Sequence, residues 1–340
     1  MEAHARAYCA RALREAGMQV SEENFEYSAF PGLWATPLFG MFSVLSLLAA
    51  LGAAWIGRPW LGVAVLAGAA LIMGVGGLWI ARHGVTGLPF LRRSSVNLVG
   101  RRGGSEPRLW LMAHVDTKSR PVPMLLRAAG ITVMAISWVA AMGLLAAQAS
   151  GWAGTGWIPW LAAIGVVSGG PVMASFVGSR SPGAVDDASG VVTVLLAAEA
   201  DPAVGLGVIL TSAEELGLAG ARAWALAHPA AAAINCDGVD DAGAVAAMYS
   251  GPAPARLLDM FARVTRELAI PSRTHRVLPG VLVDGVALAD AGWQVITISR
   301  GTVQTLRRIH TPHDSLDRMS GAGIPDAARV MAAMARELAR

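Results

Sequence analysis

Five groups of histidine and acidic residues recur along this chain, each close to the end of an apolar run. Imidazole and carboxylate groups are common protein ligands of Zn²⁺, and two such ions held close together can activate a water molecule. The series supplies two imidazoles and three carboxylates for metal, and it leaves one carboxylate to act as a base. In chain order the groups are His114-Val-Asp116, Asp186-Asp187, Glu214-Glu215, Asp237 and His310.

Most of these groups also have an ordinary structural interpretation when taken alone. A solvated histidine at a strand end accounts for His114, and either Asp187 or Ser189 would serve as a helix N-cap. The pair Glu214-Glu215 suits a helix start, where acidic residues favour the helix dipole. Asp237 is harder to explain in this way, because a carboxylate at the end of an apolar strand is costly to bury without a partner.

Two of the groups predict a more specific chemistry. His114 and Asp116 are two residues apart at a strand end and project to the same face. We expect His114 to bind metal while Asp116 accepts the N–H of its other ring nitrogen. Glu214 and Glu215 repel each other unless a cation neutralises one of them. If Glu215 binds metal, Glu214 can deprotonate the attacking water and pass the proton to the leaving group.

The pattern of elements indicates an α/β fold with a mixed, mostly parallel sheet sandwiched by helices. Ligands in such sheets gather at the carboxyl ends of the strands, which is where His114, Glu214 and Asp237 fall. Predicted strands cover Met18–Tyr27, Ser95–Val99, Leu109–Ala113, Gly207–Thr211, Ala231–Cys236, Ala244–Met248 and Gln294–Ser299. Predicted helices cover 4–17, Ala188–Ala200, Gly217–Ala227, Ala255–Leu268 and Pro325–Arg340.

The composition adds a membrane component to this fold. The chain is 54% apolar and 15% charged, whereas soluble domains carry roughly 25% charged residues. The excess lies in four runs long enough to cross about 30 Å of hydrocarbon, and Gly169-Gly170-Pro171 in the last run predicts a kink or an early end. The runs are Thr36–Ile56, Trp60–Ala81, Met124–Ala147 and Trp152–Val177.

These runs predict four transmembrane helices, inserted as two hairpins into one α/β domain. The domain pieces are 1–34 (an N-terminal helix and strand), 83–122 (strands with the first ligand) and 179–340 (the main part). The hairpins are 35–82 and 123–178. Arginine and lysine are concentrated between the hairpins, so we expect an integral protein of a bacterial-type plasma membrane with its catalytic residues on the cytoplasmic side.

Several other classes of protein are disfavoured by the same sequence. The formal charge of +3 and the lack of a basic stripe interleaved with aromatic residues argue against nucleic acid as a partner. Cys9 and Cys236 are too few for a disulfide framework or a thiolate zinc site. A transporter is disfavoured because the predicted spans carry no charged residue at depth. The sequence leaves the oligomeric state open.

The ordered series resembles the clan MH zinc aminopeptidases, the family of bacterial leucyl aminopeptidases and aminopeptidase Y. The resemblance implies that His114 and Asp237 hold one zinc, that Glu215 and His310 hold the other, and that Asp186 bridges the two. It also implies that Glu214 is the general base and that the Asp186–Asp187 peptide bond is cis. The matching pieces are Asn97-Leu-Val-Gly100, His114-Val-Asp116, Gly183-Ala-Val-Asp186-Asp187-Ala-Ser-Gly190, Ser212-Ala-Glu214-Glu215-Leu-Gly217, Ile234-Asn-Cys-Asp237 and Ile309-His310-Thr-Pro-His-Asp314.

The chain departs from the family at two places. Val283-Asp284-Gly285 stands where relatives often carry Ser-Asp-His before a pocket helix, so the specificity pocket is not carried over. The four predicted spans have no counterpart in the secreted members. About nine residues join His114 to the second hairpin, and a similar number join that hairpin to Asp186. At no more than ~3.6 Å per residue, the metals should lie within roughly 30 Å of the membrane surface.

Taken together, these features predict a membrane-integral dizinc metallopeptidase. We expect an aminopeptidase that hydrolyses N-terminal residues from peptides near the lipid bilayer, with two Zn²⁺ or other divalent ions and Glu214 as base. Two alternatives remain open. One is a glutaminyl cyclase-like acyltransferase with a single zinc, and the other is a non-catalytic membrane scaffold.

Overall fold

The chain forms two compact units in the computed structural model, which describes residues 2–103, 106–152, 154–200, 205–278 and 280–338. The first, called here the sheet unit, consists of Met1–Ser28, Pro89–Ser119 and Ser179–Arg340. The second, called the helical unit, consists of Ala29–Leu88 and Arg120–Gly178. The sheet unit therefore contains every candidate metal ligand.

The elements alternate along the chain as follows. The strands are β1 (Gln19–Ser28), β2 (Arg92–Arg101), β3 (Leu109–His114), β4 (Leu206–Thr211), β5 (Ala232–Val239), β6 (Val245–Tyr249), β7 (Ser272–Arg276) and β8 (Gln294–Arg300). The helices are α1 (Glu2–Glu15), α2 (Phe30–Trp55), α3 (Pro59–Trp79), α4 (Val85–Gly87), α5 (Met124–Ala149), α6 (Ile158–Met173), α7 (Gly190–Ala200), α8 (Ala219–Ala227), α9 (Ala255–Glu267), α10 (Asp284–Asp290), α11 (Val303–Arg308) and α12 (Ile324–Leu338).

The sheet unit is built on one mixed sheet with the strand order β1-β2-β4-β3-β5-β8-β6-β7. The four central strands β4, β3, β5 and β8 are mutually parallel, while β2 pairs antiparallel with β4 and β6 pairs antiparallel with β8. The carboxyl ends of the central strands therefore meet at one edge of the sheet. This topology confirms the predicted mixed α/β sheet.

Helices cover both faces of this sheet, as the side chains of β3 illustrate. Successive residues of a strand point to opposite faces. Leu109, Leu111 and Ala113 pack with buried residues of α1, α7, α9 and α12. Trp110 and Met112 pack on the other face with residues of α8 and α10. Burial on both faces explains why the central strands read as continuous apolar runs.

The predicted and observed elements of the sheet unit differ at a few places. Each predicted strand and helix overlaps an observed one, but β7, α10 and α11 had not been predicted. Residues 339 and 340 of the predicted closing helix lie outside the described residues. In the sheet, β7 occupies an edge position, where its sequence Ser-Arg-Thr-His-Arg can remain polar.

The helical unit consists of apolar helices that pack closely through small residues. A Cβ atom at Gly62 would lie 2.6 Å from the carbonyl oxygen of Ala50, and one at Gly130 would lie 2.6 Å from that of Ser168. Such close approach of helix backbones is typical of helix pairs in membranes. Within the described residues, three helices are long and apolar enough to cross a bilayer, namely Phe30–Trp55, Pro59–Gly87 and Met124–Ala149.

The fourth predicted span is shorter in the structure than in the prediction. The run begins at Trp152, but α6 begins only at Ile158 and has 16 residues. Glycines at 151, 154 and 156 precede it, with Gly151 at φ +78°. The helix ends at Met173, two residues after Pro171. Glycines at its start and a proline near its end therefore keep α6 below the length of the other three helices.

Candidate metal centre

The predicted ligands come together at the carboxyl edge of the sheet. His114 is the last residue of β3, Glu214 and Glu215 follow the end of β4, and Asp237 lies in the carboxyl-terminal part of β5. Two groups of donor atoms form there, each with its members within 4.8 Å of one another. The groups are His114, Glu214 and Asp237, and Asp186, Glu215 and His310. We call them the first and the second donor group.

Asp186 lies between the two imidazoles. Its Oδ1 atom is 3.2 Å from Nε2 of His114, and its Oδ2 atom is 2.9 Å from Nε2 of His310. His310 Nε2 is also 3.3 Å from Oε1 of Glu215. Each oxygen of one buried carboxylate therefore faces a different histidine, which is the arrangement that a carboxylate bridging two cations requires.

The segment that presents Asp186 is held by another carboxylate. Asp314 is fully buried and accepts the backbone N–H groups of Val185 at 2.8 Å and Asp186 at 3.2 Å. The peptide bond between Asp186 and Asp187 is cis. The neighbouring residue His313 is exposed and lies outside both donor groups. Asp314 thus fixes the backbone on which the bridging position depends.

Asp187 is a connecting residue between three parts of the site. Its carboxylate accepts the backbone N–H of His114 at 3.2 Å, of Gly238 at 3.0 Å and of Gly190 at 3.1 Å. A Cβ atom at Gly190 would lie 2.2 Å from Oδ1 of Asp187, so this close approach requires glycine. The structure supports the capping interpretation of Asp187, since Gly190 begins α7.

The turn after β4 carries Glu214 and Glu215 in a constrained conformation. Ala213, just before it, has φ +55°, a region that residues with a Cβ atom rarely adopt and that is concentrated at functional sites. The carboxylate of Asp116 accepts the backbone N–H of Glu214 at 3.0 Å and of Glu215 at 3.1 Å. Asp116 therefore holds both glutamates at the site.

The contact between His114 and Asp116 differs from the sequence prediction in its accepting atom. His114 Nδ1 lies 3.0 Å from the backbone carbonyl oxygen of Asp116 and 3.7 Å from its Oδ1 atom. The ring N–H is therefore donated to the main chain, and the carboxylate remains available for the two glutamate N–H groups. Because Nδ1 of His114 donates to the Asp116 carbonyl, Nε2 is the ring nitrogen that faces Asp186.

His310 is brought to the site by the segment that follows α11. Its φ is +60°, again a rare conformation for a residue with a side chain. Arg308 anchors this segment, since its Nη2 atom is 2.8 Å from Oδ1 of Asp240 and its Nη1 atom donates to the carbonyl of Arg318 at 2.8 Å. Thr305 donates a second hydrogen bond to the Asp240 carboxylate at 2.6 Å.

Burial and the charges of neighbouring groups shift the pKa values of the residues at this site. Burial raises the pKa of Glu214 well above its usual range, and it raises the pKa of Asp237 to about 7. Burial also acts to raise the pKa of Asp186, but hydrogen bonds with His114 and His310 hold it well below its usual value. Burial alone would lower the pKa of the His114 imidazole, yet the Glu214 and Asp187 carboxylates raise it. A cation at the centre would relieve this repulsion.

Two residues that the sequence reasoning did not place in the site are part of it. Lys118 forms an ion pair with Oε2 of Glu215. Burial would raise the pKa of that glutamate, but the lysine pulls it down to about 2. Asp284, the first residue of α10, is fully buried and accepts a hydrogen bond from the Thr211 hydroxyl. Burial raises the pKa of Asp284 to about 6. The only sequence signal for Lys118 was its position four residues after His114.

The donor set fits divalent ions of the zinc type. If Asp186 is counted on both sides, His114 and Asp237 on one side and His310 and Glu215 on the other each complete a set of one imidazole and two carboxylates. A catalytic zinc site commonly has three protein ligands of these kinds, and Glu214 then remains as an additional carboxylate. Most of the donor residues are buried, with His114 2% exposed and Glu215 5% exposed. At nearby Gly285 a Cβ atom would lie 2.5 Å from the Thr297 hydroxyl, so this position has no room for a larger residue.

Comparisons with known proteins find similarity in sequence and in fold. Residues 167–335 match the model of peptidase family M28. The fold is similar to that of the aminopeptidase from Aneurinibacillus sp. strain AM-1, at 14% identity and a TM-score of 0.55, over 98% of this chain and 87% of that one. It is also similar to Porphyromonas gingivalis glutaminyl cyclase, at 16% identity and a TM-score of 0.51, over 97% and 88% of the two chains.

A third solved structure is related over a smaller region. The zinc aminopeptidase BSAP from Bacillus subtilis matches at 16% identity and a TM-score of 0.47, over 72% of this chain and 50% of its own, so this chain spans half the length of that protein. No curated protein sequence matches the chain. The segment 167–335, which is similar to the M28 family model, contains Asp186, Glu214, Glu215, Asp237 and His310.

Proposed function

We propose that this protein is a membrane-integral dizinc aminopeptidase that removes N-terminal residues from peptides. The observation that carries the proposal is the position of Asp186, whose two carboxylate oxygens each face the Nε2 atom of a different histidine at 3.2 and 2.9 Å. One ion would be held by His114 and Asp237 and the other by Glu215 and His310, with Asp186 shared. The M28 match supports the peptidase part of the proposal.

The bound ions would supply Lewis acidity toward the scissile carbonyl and lower the pKa of water. Glu214 is the proposed base, because it is buried, lies within 4.8 Å of donor atoms of His114 and Asp237, and has a raised pKa. A base of this kind takes one proton from the attacking water and returns it to the departing amine. Asp116 positions Glu214 through its backbone N–H, and Asp187 positions His114 in the same way.

We propose further that all four apolar helices span the membrane as two hairpins. Three of the described helices have the length and hydropathy that a membrane-spanning helix requires. The fourth, α6, has 16 uncharged residues and covers about 24 Å at 1.5 Å per residue, which suits a thin or locally thinned bilayer. The arginines between the hairpins favour a cytoplasmic catalytic domain. If this topology is correct, the protein should resist extraction with alkaline carbonate. In inverted vesicles, the connections at Arg58 and at 150–157 should be protected from added protease.

A second candidate function is cyclisation of N-terminal glutamine around a single zinc. The likeness to P. gingivalis glutaminyl cyclase has a TM-score above 0.5, and the ion pair between Lys118 and Glu215 favours occupancy of the first donor group alone. Both observations are compatible with a one-metal centre. The cyclase differs in product, since it releases ammonia and leaves the peptide chain intact.

One substrate screen separates these functions. Detergent-purified, zinc-replete protein is incubated with aminoacyl peptides, with the same peptides N-acetylated, and with peptides that begin with glutamine. The aminopeptidase proposal predicts release of the N-terminal residue from free-amino peptides and not from their acetylated forms. Ammonia release from glutamine peptides without chain cleavage would instead favour the cyclase. Lack of hydrolysis of every free-amino peptide by metal-replete protein would refute the leading proposal.

A further inference from the structure

Lys118 contacts Glu215, one of the candidate ligands of the second donor group. It lies in the loop after β3, and its side chain is 15% exposed while that of its partner Glu215 is 3% exposed. The backbone N–H of Lys118 donates to Oε1 of Glu215 at 3.3 Å, and its ammonium pairs with Oε2 of the same carboxylate. The lysine therefore contacts both oxygens of one candidate metal ligand.

The two donor groups differ in this respect. In the second group, Glu215 Oε1 also lies 3.3 Å from Nε2 of His310, so the ammonium is directly beside the donor atoms of the group. In the first group, neither Glu214 nor Asp237 forms an ion pair with a lysine or arginine within the described residues. The ion pair with a lysine therefore belongs to the second donor group, although the Lys118 charge also acts to lower the pKa of Glu214.

We propose that Lys118 competes with a divalent ion for Glu215, so that the second donor group binds its ion more weakly than the first. This inference rests on the proposed dizinc function and concerns how its two positions fill. An ion and an ammonium at the same carboxylate repel each other, and in a site largely shielded from water the repulsion is only weakly screened. Lysine has a flexible four-carbon stem, and its partial exposure offers a path outward when the ion binds.

The competition gives the centre two states of occupancy. At low free zinc, one ion occupies the first donor group and Lys118 neutralises Glu215. At higher free zinc, a second ion displaces the ammonium from Glu215, and the two-metal arrangement is complete. The structure thus assigns Lys118 a regulatory role in metal loading, distinct from the ligands and from the base.

The test is a zinc titration by competition with a chromophoric chelator on three proteins: wild type, Lys118→Met, which keeps the apolar stem, and Lys118→Arg, which keeps the charge. Wild type should show two sites that differ in Kd. Lys118→Met should tighten the weaker site by about tenfold or more and leave the tighter site within about threefold. Lys118→Arg should resemble wild type at the weaker site.

The outcomes separate this inference from the function on which it rests. If wild type binds two ions with equal affinity, or if Lys118→Met leaves the weaker site unchanged, the inference is wrong while the dizinc proposal stands. If no variant binds zinc at all, the proposed function itself fails. Should Lys118→Met not fold, Lys118→Gln replaces it, and the wild-type isotherm alone still contradicts the inference when its two sites are equal.

Discussion

Removal of the Asp116 carboxylate should loosen the glutamates without removing any proposed ligand. Asp116 accepts two backbone N–H groups, those of Glu214 at 3.0 Å and Glu215 at 3.1 Å. In Asp116→Ala both donors lose their acceptor. An unsatisfied buried donor costs roughly 1–3 kcal/mol, so the arrangement loses roughly 2–6 kcal/mol in total. Asp116→Asn retains one acceptor oxygen and should lose about half as much.

This loss should be expressed as weaker metal binding and slower turnover, since the disturbed turn carries the proposed base and a proposed ligand. The lower bound of about 2 kcal/mol corresponds to a decrease of about 30-fold in zinc affinity or in kcat/KM. The assays are zinc competition with a chromophoric chelator and steady-state hydrolysis of an aminoacyl peptide. Asp116→Asn should give an intermediate value in both.

A matched control is available in the same unit. Asp241 also accepts two backbone N–H groups, those of Ser320 at 2.7 Å and Ala322 at 2.8 Å, and it belongs to neither donor group. Asp241→Ala should leave zinc affinity within about threefold of wild type. If Asp116→Ala behaves like this control in both assays, the positioning role assigned to Asp116 is refuted.

Two further variants test the surroundings of the site. Arg308→Met removes the anchor of the segment that ends in His310 and should weaken zinc binding by roughly 10-fold or more. Arg329→Met, which breaks only an exposed ion pair, should leave zinc binding unchanged. Equal effects of the two substitutions would contradict the anchoring role. For Asp284, whose pKa is raised to about 6 from 3.8, the folded state binds the proton more tightly, so stability falls as pH rises from about 4 to 6. Asp284→Asn keeps an acceptor for the Thr211 hydroxyl. Above pH 6 it should raise the Tm of chelator-treated protein by the equivalent of at most roughly 3 kcal/mol, and near pH 4 it should have little effect. A Tm difference that does not vary with pH would contradict this prediction.

The sequence predicted the central strands and the edge at which the candidate ligands gather. Every residue of β3 is buried, and strands covered on both faces must be apolar, so a histidine at the end of such a run is conspicuous. By contrast, β7 carries no apolar residue and lies at the sheet edge. Hydrophobic periodicity gives no signal for a strand of that kind.

The contacts that position the site could not be read from the sequence, because each joins distant parts of the chain. Asp116 is 98 residues from Glu214, and Lys118 is 97 residues from Glu215. Their partners are set by the conformation of two loops after parallel strands, one of which includes Ala213 at a positive φ. Local propensity does not predict such a conformation for alanine. The accepting atom for the His114 ring differs from the prediction because the Asp116 carboxylate instead accepts the distant backbone N–H groups of Glu214 and Glu215.

The central claim is that Glu214 is a base beside two bound metal ions, and one paired measurement tests it most directly. Zinc per chain and kcat for one aminoacyl peptide are measured on the same preparations of wild type and Glu214→Gln, with Glu267→Gln as an exposed control. The account predicts an unchanged zinc content and a decrease in kcat of about 100-fold or more for Glu214→Gln alone. Hydrolysis within a few-fold of wild type, or loss of zinc together with the carboxylate, would contradict it.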